Sequence, residues 1–254
     1  MLLYPLTSLI CAIKGLSMDA THLDLAVVIP VFNEEESITT CIDSWVETLS
    51  SMQLSYLLII IDDGSWDKTP VILSQIDSSE EIRVISKHNE GHGPTILHGY
   101  REACEIADWV LQVDSDNEIP TSAFTDMWAL RLNNDAVLGC RENRTQTIVR
   151  KTISKIAAFM NLILFNCRFA DPNVPFRLLN SETLSLIISR IPRKTFAPNI
   201  IISGALSQLE KKVVEHPVPF TSRSHGKSSL SDSKAFIHSC RAAIQITRIS
   251  RLFP

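Results

Sequence analysis

From Leu25 onward, short runs of apolar residues alternate with longer segments of helical periodicity, and this alternation limits the folds open to the chain. The runs predict strands at Leu25–Val31, Tyr56–Ile61, Ile82–Ile85, Trp109–Val113 and Ala136–Leu138. Helices are predicted between them, near Ser37–Met52, Thr69–Ile76, Thr95–Ile106 and Ser122–Leu132. Strands that are apolar on both faces are typical of a sheet covered by helices. We therefore predict an α/β fold with a doubly wound, mostly parallel sheet.

Beyond Arg141 the pattern changes. It predicts a long helix at Val149–Phe165, a Pro-containing loop at Asp171–Arg177, helices near Glu182–Ile188 and Asn199–Leu209, and a strand at Lys212–Val218. The last segment, Asp232 to Leu252, has the pattern of an amphipathic helix, which either packs against the domain or lies on a membrane surface. Residues 1–24 form a leader that is too short for a spanning helix.

Charge and cysteine content narrow the classes of partner. With a formal net charge of −4 and 20% charged residues, the chain is not a general nucleic-acid binder. Small molecules or a membrane surface are the expected partners. The six cysteines include no Cys-x-x-Cys pair, which favours reduced thiols in the cytoplasm and excludes a structural zinc.

Polar clusters follow four of the predicted strands. They are Asn33-Glu34-Glu35, Asp62-Asp63-Gly64-Ser65, His88 to Gly93, and Asp114-Ser115-Asp116-Asn117-Glu118. Ligands of parallel α/β sheets bind outside the carboxyl ends of the strands, near the point where strand order reverses. The clusters therefore predict a common binding site at that edge.

The acidic cluster has the strongest chemical implication. In an extended segment, Asp114, Asp116 and Glu118 would face one side, because alternate residues of a strand share a face. Hard divalent cations such as Mg²⁺ or Mn²⁺ take carboxylate oxygens and neutralise a leaving diphosphate. A solvated acidic turn before the next helix is the alternative.

Two other clusters suit a nucleotide. Asp62 or Asp63 at a strand tip can accept hydrogen bonds from a base or ribose, and Gly64 allows a close approach. The loop from Asn89 to Gly93 offers backbone amides to a diphosphate. Each motif taken alone is also an ordinary turn.

The ordered set of motifs resembles the signature of family 2 glycosyltransferases with the GT-A fold. The similarity covers about Leu25 to Arg177, and it is nearest to the branch of dolichol-phosphate mannosyltransferases and polyprenyl-phosphate glycosyltransferases. It implies an inverting transferase that uses a UDP- or GDP-sugar, with a lipid phosphate or glycan precursor as acceptor. It also implies a GT-A domain at 25–230, with a nucleotide half (25–141), an acceptor half (142–230) and a separate helix at 231–254.

The resemblance also implies roles for individual residues. Nucleotide-binding positions would be Pro30, Asn33, Glu34, Asp62, Asp63, Asn89, Gly93 and Asp114, and the metal would be held by Asp114, Asp116 and Glu118. Asp171 would be the acidic group beside the reaction centre, and Arg177 would bind a phosphate. The family's Ser-Gly is here Val174-Pro175. Arg223 and Lys227 would belong to a basic loop that closes on the diphosphate.

Two other classes fit parts of the pattern. A phosphatase or phosphotransferase could use Asp114 as a nucleophile with Mg²⁺, but this leaves the clusters at Asp62 and Asn89 unexplained. A non-catalytic nucleotide-binding subunit would not need the full set of carboxylates. Because no predicted segment spans a bilayer, we expect a cytoplasmic protein. It would be a peripheral enzyme at the inner face of the membrane, a subunit recruited by a membrane partner, or a transferase that acts on a soluble or surface-glycan precursor.

Overall fold

The computed structural model describes residues 22–76, 80–141, 148–220 and 242–253, with the backbone alone for 148–155 and 157. Its strands are β1 (Leu23–Val31), β2 (Tyr56–Asp62), β3 (Ile82–Ser86), β4 (Ala107–Gln112), β5 (Ala136–Arg141), β6 (Arg177–Asn180) and β7 (Val213–Val218). Its helices are α1 (Ile38–Ser51), α2 (Thr69–Ile76), α3 (His92–Cys104), α4 (Ala123–Leu130), α5 (Ile148–Phe165), α6 (Ser181–Ile188) and α7 (Pro198–Gln208). Residues 242–250 are also helical and are called α8.

The described strands form one seven-stranded sheet in the order β3-β2-β1-β4-β6-β5-β7. β1 pairs in parallel with β2 on one side and with β4 on the other. The strand order therefore reverses between β1 and β4, and a ligand site is expected outside their carboxyl ends. The predicted α/β fold with a mostly parallel, helix-flanked sheet is confirmed.

Burial explains why the first strands are so apolar. Every residue of β2 and the last seven of β1 are buried, as expected for strands covered on both faces. α1 buries Ile38, Ile42, Trp45 and Leu49, whose spacing of three and four residues defines one helix face. The centre of the sheet and its helices thus form the core.

β6 is a strand that the sequence analysis missed. It has four residues and runs antiparallel to both β4 and β5. A run this short has no readable periodicity, and its conformation is set by pairing with two neighbours distant in the sequence. Because it is reversed, its beginning lies at the same edge as the ends of the parallel strands.

The described part of the C-terminal helix packs against the domain. Ala242, Ile246 and Ile249 are buried, and the Gln245 side chain accepts a hydrogen bond from the Phe196 amide (2.8 Å). Residues 232–241 of the predicted helix and the leader up to residue 21 lie outside the described residues. In the portion of the chain that the structure describes, the helices are too short or too polar to cross a bilayer.

Candidate functional site

The loops that follow β1 and β2 are joined by reciprocal hydrogen bonds. The Asn33 amide donates to Ser65 Oγ (2.9 Å), and the Trp66 amide donates to Asn33 Oδ1 (3.0 Å). The Lys68 amide donates in turn to Glu35 Oε2 (2.9 Å). Asn33 itself has a φ of 54°, a left-handed conformation that Asn tolerates better than most residues. The two loops therefore form one rigid wall beside the switch point.

Three of the predicted nucleoside-pocket residues lie in or under this wall. Pro30 is buried in β1 opposite Ile61. Glu34 accepts a hydrogen bond from Ser37 Oγ (2.6 Å), and its amide donates to Thr69 Oγ1 (2.9 Å). Asp62 is buried at the end of β2 and accepts from the Ser65 amide (2.9 Å). Their position at the carboxyl edge matches the prediction, and their contact with a nucleotide stays a prediction.

Asp63 holds the neighbouring loop in place. Its carboxylate accepts hydrogen bonds from the amides of Glu90 (2.9 Å) and Gly91 (2.8 Å) and from the Lys87 ammonium group. It is buried, so these donors satisfy most of its hydrogen-bonding capacity. Asp63 therefore positions the 87–91 loop, and its contact with a nucleotide stays a prediction.

Asn89 and Gly93, both predicted to bind the diphosphate, have different surroundings. Asn89 is exposed in the loop before α3. Gly93 is buried, and a Cβ placed there would lie 2.3 Å from the backbone oxygens of Thr195 and Phe196. Gly93 is therefore required for the close approach of α3 to the 195–196 backbone, which explains the glycine without a ligand.

The acidic cluster lines a cleft beside the switch point. Asp114, Asp116 and Glu118 share this cleft with Arg141. Its remaining lining residues are Trp45, Val113, Ile119, Pro175, Phe176 and Phe220. The cleft thus combines carboxylates from the end of β4 with a cation from the end of β5.

Cys41 of α1 lies near the same carboxylates. Its side chain is buried, and burial, together with the negative charges of Asp116, Glu34 and Asp114, raises the pKa of its thiol to about 12. Burial and nearby negative charges both disfavour the charged thiolate. The carboxylates that follow β1 and β4 therefore act on the same buried thiol.

The geometry of the cluster differs from the extended segment that we predicted. β4 ends at Gln112, Asn117 has a left-handed φ of 55°, and the Glu118 amide donates to Asp116 Oδ1 (3.2 Å). Residues 116–118 therefore form a turn, and alternate residues do not share a face as they would in a strand.

The donor set still suits a divalent cation. Among the described residues, no three His, Cys, Asp or Glu side chains are grouped so that they could hold a metal ion together. Mg²⁺ is commonly held by one or two carboxylates, with substrate phosphates and waters as its other ligands. The cleft carboxylates fit a site of that kind, which is completed only when a phosphate is bound.

Asp171 forms a two-point ion pair with Arg141. Arg141 Nε donates to Asp171 Oδ2 (2.6 Å), and an Nη donates to Oδ1 (3.0 Å). The two side chains are 6% and 18% exposed, respectively. The amides of Ala170 and Asp171 donate to Glu215 Oε1, which fixes the turn. Asp171 thus contacts the cleft residue Arg141 through both of its oxygens, and its place beside the reaction centre stays a prediction.

Arg177, which was predicted to bind a phosphate, is enclosed in the fold and is bonded to backbone carbonyls. Its side chain is completely buried. Its guanidinium donates to the carbonyls of Val174 (2.9 Å), Pro172 (3.0 Å) and Asn199 (3.1 Å). Burial lowers its pKa, since the charged form loses hydration. Arg177 instead fastens the 172–176 segment to α7.

Arg141 is the cleft cation that sequence reasoning missed. It is the last residue of β5, so the rule that drew attention to the ends of the first four strands would have found it. Its guanidinium also lies 6.0 Å from the Phe220 ring. The predicted diphosphate ligands Arg223 and Lys227 lie outside the described residues.

The fold and the acidic cleft at the switch point define the chain as a GT-A domain. The sequence model of Glycosyl transferase family 2 matches residues 26–186, and the chain belongs to this family.

Its relatives include undecaprenyl-phosphate 4-deoxy-4-formamido-L-arabinose transferases. The protein from Proteus mirabilis is 27% identical over 211 residues, which cover 82% of this chain and 63% of the relative. The protein from Photorhabdus laumondii is 27% identical over 214 residues, which cover 83% of this chain and 64% of the relative. The chain therefore matches less than two thirds of the length of either protein.

Solved structures with the same fold include glucosyl-3-phosphoglycerate synthase from Mycobacterium tuberculosis. Its complex with Mn²⁺, uridine diphosphate and glucosyl-3-phosphoglycerate has a TM-score of 0.62 and 16% identity, and the match covers 99% of this chain and 86% of that one. Its complex with Mg²⁺ and uridine diphosphate has a TM-score of 0.64 at 16% identity, with 99% of this chain and 85% of that one covered.

Proposed function

We propose that the chain is an inverting glycosyltransferase that moves a sugar from a UDP- or GDP-sugar to a polyprenyl-phosphate or glycan-precursor acceptor. The observation that carries this proposal is the cleft at the switch point, where Asp114, Asp116 and Glu118 lie with Arg141. Membership of family 2 supports the reaction class. Relatives named for transfer to undecaprenyl phosphate support the lipid acceptor.

The nucleotide end of the donor would bind against the joined loops after β1 and β2. Asn33, Glu34 and Asp62 are held there by backbone hydrogen bonds, so little ordering is needed when the nucleotide binds. One or two of the carboxylates of Asp114, Asp116 and Glu118, together with oxygens of the diphosphate, would hold a divalent cation, Mg²⁺ or Mn²⁺. The cation would neutralise the charge that develops on the leaving diphosphate. The nucleotide and its cation would thus bind at adjoining ends of β1, β2 and β4.

The Arg141–Asp171 pair favours a phosphate as the acceptor. A hydroxyl acceptor needs a general base to remove its proton, but both Asp171 oxygens are bound by Arg141. A phosphate oxygen is already ionised, and the Arg141 cation lies in the cleft to attract it. The phosphate oxygen would form a bond to the anomeric carbon from the face opposite the diphosphate. The bond from that carbon to the diphosphate breaks, and the nucleoside diphosphate leaves.

A donor screen tests the proposal. UDP- and GDP-sugars are incubated with Mg²⁺ or Mn²⁺, with and without polyprenyl phosphate, and release of nucleoside diphosphate is measured. We expect release that requires the lipid phosphate, stops with chelator, and falls about 100-fold or more in Asp116→Asn. Asp43→Asn, an exposed aspartate on α1, is the matched control and should keep full activity.

The same assay separates the rival classes. Release of inorganic phosphate from simple phosphoesters without any nucleotide sugar would identify a phosphotransferase that uses Asp114 as nucleophile. Transfer that continues in chelator and in Asp116→Asn would overturn the proposed metal role. A lipid-phosphate acceptor implies that the reaction takes place at a membrane surface, and we propose the cytoplasmic face.

A further inference from the structure

The loop that leads into α3 is held from two sides. On one side, Asp63 accepts hydrogen bonds from the amides of Glu90 (2.9 Å) and Gly91 (2.8 Å). On the other side, Gly93 packs so closely on the 195–196 backbone that a Cβ would lie 2.3 Å from its oxygens. The beginning of α3 is therefore fixed both by the end of β2 and by the segment between α6 and α7.

The beginning of α3 also reaches the acidic cleft. His92 is the first residue of this helix, and its Nε2 atom lies 3.8 Å from Asp114 Oδ1. Asp114 in turn lines the cleft. A shift of this helix end would therefore change its distance from the groups that we propose for the diphosphate and its cation.

The segment behind Gly93 is held by a side chain of α8. Gln245 Oε1 accepts a hydrogen bond from the Phe196 amide (2.8 Å), and Gln245 Nε2 donates to the Lys194 carbonyl (3.2 Å). One carboxamide thus binds backbone groups on both sides of Thr195, which is completely buried. A glutamine suits this position because its side chain ends in both an acceptor and a donor.

Helix α8 is itself anchored to the domain. Its residues Ile246 and Ile249 are buried. Just beyond its end, the Leu252 carbonyl accepts a hydrogen bond from Arg190 Nη1 (3.4 Å). Gln245 therefore extends from a fixed helix, and its two hydrogen bonds carry that anchoring to the segment that supports the beginning of α3.

We propose that Gln245 is a positioning residue for donor binding, which acts by holding the beginning of α3 against the acidic cleft. The nucleotide would then meet a loop that is already ordered, so less conformational entropy would be lost on binding. Gln245 lies beyond residues 26–186, which the family model matches, so the family match does not supply this role. The proposal deepens the proposed function and rests on it.

Hydrogen–deuterium exchange of the nucleotide-free chain tests the first step. Gln245→Met keeps the length of the side chain and removes both hydrogen bonds. We expect the amides of residues 90–97 to exchange at least about threefold faster in this variant, and those of α1 to exchange as in wild type. A general loss of stability would speed exchange in α1 as well. Gln75→Met, at an exposed position of α2, is the matched control and should change neither.

Nucleotide binding tests the second step. The dissociation constants of uridine diphosphate and guanosine diphosphate, each with Mn²⁺, are measured by calorimetry. For the nucleotide that binds, we expect an increase of about fivefold in Gln245→Met. The increase should be smaller in Gln245→Glu, which keeps an acceptor for the Phe196 amide but has no donor for the Lys194 carbonyl.

Transfer kinetics separate positioning from a loss of folded protein. In Gln245→Met the KM for the nucleotide sugar should rise by the same factor as the dissociation constant, with kcat unchanged. A smaller folded fraction would instead lower kcat and leave KM as it is. If circular dichroism shows that Gln245→Met is unfolded, Gln245→Glu replaces it in all three measurements.

Several outcomes would overturn the role of Gln245. They are unchanged exchange at residues 90–97, faster exchange throughout the chain, and faster loop exchange with unchanged nucleotide affinity. Wild-type chain that binds a nucleotide but transfers no sugar would overturn the proposed function alone, because loop exchange and nucleotide affinity would still decide the role of Gln245.

Discussion

Arg177 joins two separate parts of the acceptor half through hydrogen bonds to backbone carbonyls. Its partners are Pro172 and Val174 in the loop before β6 and Asn199 in α7. When a buried carbonyl loses its hydrogen-bond donor, the free energy of unfolding falls by the full desolvation penalty of that carbonyl. The planar guanidinium of an arginine donates to several carbonyls at once, whereas the ammonium group of a lysine would reach fewer of them. Arg177 therefore acts as a structural brace for the loop.

Replacement of Arg177 should reduce stability even when charge is kept. We expect Arg177→Lys to lower the free energy of unfolding by about 3 kcal/mol, because carbonyls and a buried charge lose partners. Urea unfolding measures the change. Arg168→Lys, at an exposed position, is the control and should change stability by less than about 0.5 kcal/mol. Unchanged stability with weakened binding of the phosphate acceptor would restore the original role of Arg177.

The thiol of Cys41 should not react with alkylating reagents, although it lies beside the acidic cleft. Burial and nearby carboxylates raise its pKa to about 12, so at pH 8 only about one thiol in ten thousand is ionised, and only the thiolate reacts. We expect iodoacetamide to leave Cys41 unmodified in the folded chain and to modify it after unfolding in urea. Peptide mass spectrometry measures both. Modification of native Cys41 at the rate of an exposed thiol would contradict the packing of α1.

At the scale of elements, the beginning of α3 meets the loop before α7 at a point where a side chain does not fit. We expect Gly93→Ala to destabilise the chain by about 1–3 kcal/mol, because its Cβ would lie 2.3 Å from two carbonyl oxygens. Thermal unfolding measures the loss. Asn89→Ala, at an exposed position in the loop before α3, should keep the stability and weaken nucleotide binding. If Gly93→Ala were as stable as the wild type, the close packing of α3 would not explain the glycine, and diphosphate binding would be its remaining explanation.

The sequence predicts the nucleotide half better than the acceptor half, for a physical reason. β1 and β2 are long and apolar because they are covered on both faces, so their pattern is local and readable. β6 has four residues, and it is a strand only because β4 and β5 flank it. Whether an arginine is buried, as Arg177 is, or lines a cleft, as Arg141 does, depends on neighbours far along the chain. Residue type alone does not carry that information.

At the scale of the whole molecule, nucleotide and metal should stabilise the fold together. Because the described carboxylates do not form a three-ligand site, we expect Mn²⁺ alone to change the melting temperature little. Uridine diphosphate with Mn²⁺ at about 100 times the dissociation constant should add roughly 2.7 kcal/mol to the free energy of unfolding. This gain raises the melting temperature by about 5–10 °C. Differential scanning fluorimetry measures the shift. Asp116→Asn should abolish the joint effect and Asp43→Asn should keep it, whereas a large shift with Mn²⁺ alone would show a preformed site.

The reversed strand β6 also affects how such a domain can diverge. The segment that leads into it is clamped at one end by the Arg141–Asp171 pair and at the other by Arg177. Between these clamps, Pro175 and Phe176 line the cleft. The hydrogen bonds that hold this segment are separate from those that join the loops after β1 and β2. Descendants of one ancestral enzyme could thus acquire new acceptors while inheriting an unaltered donor pocket.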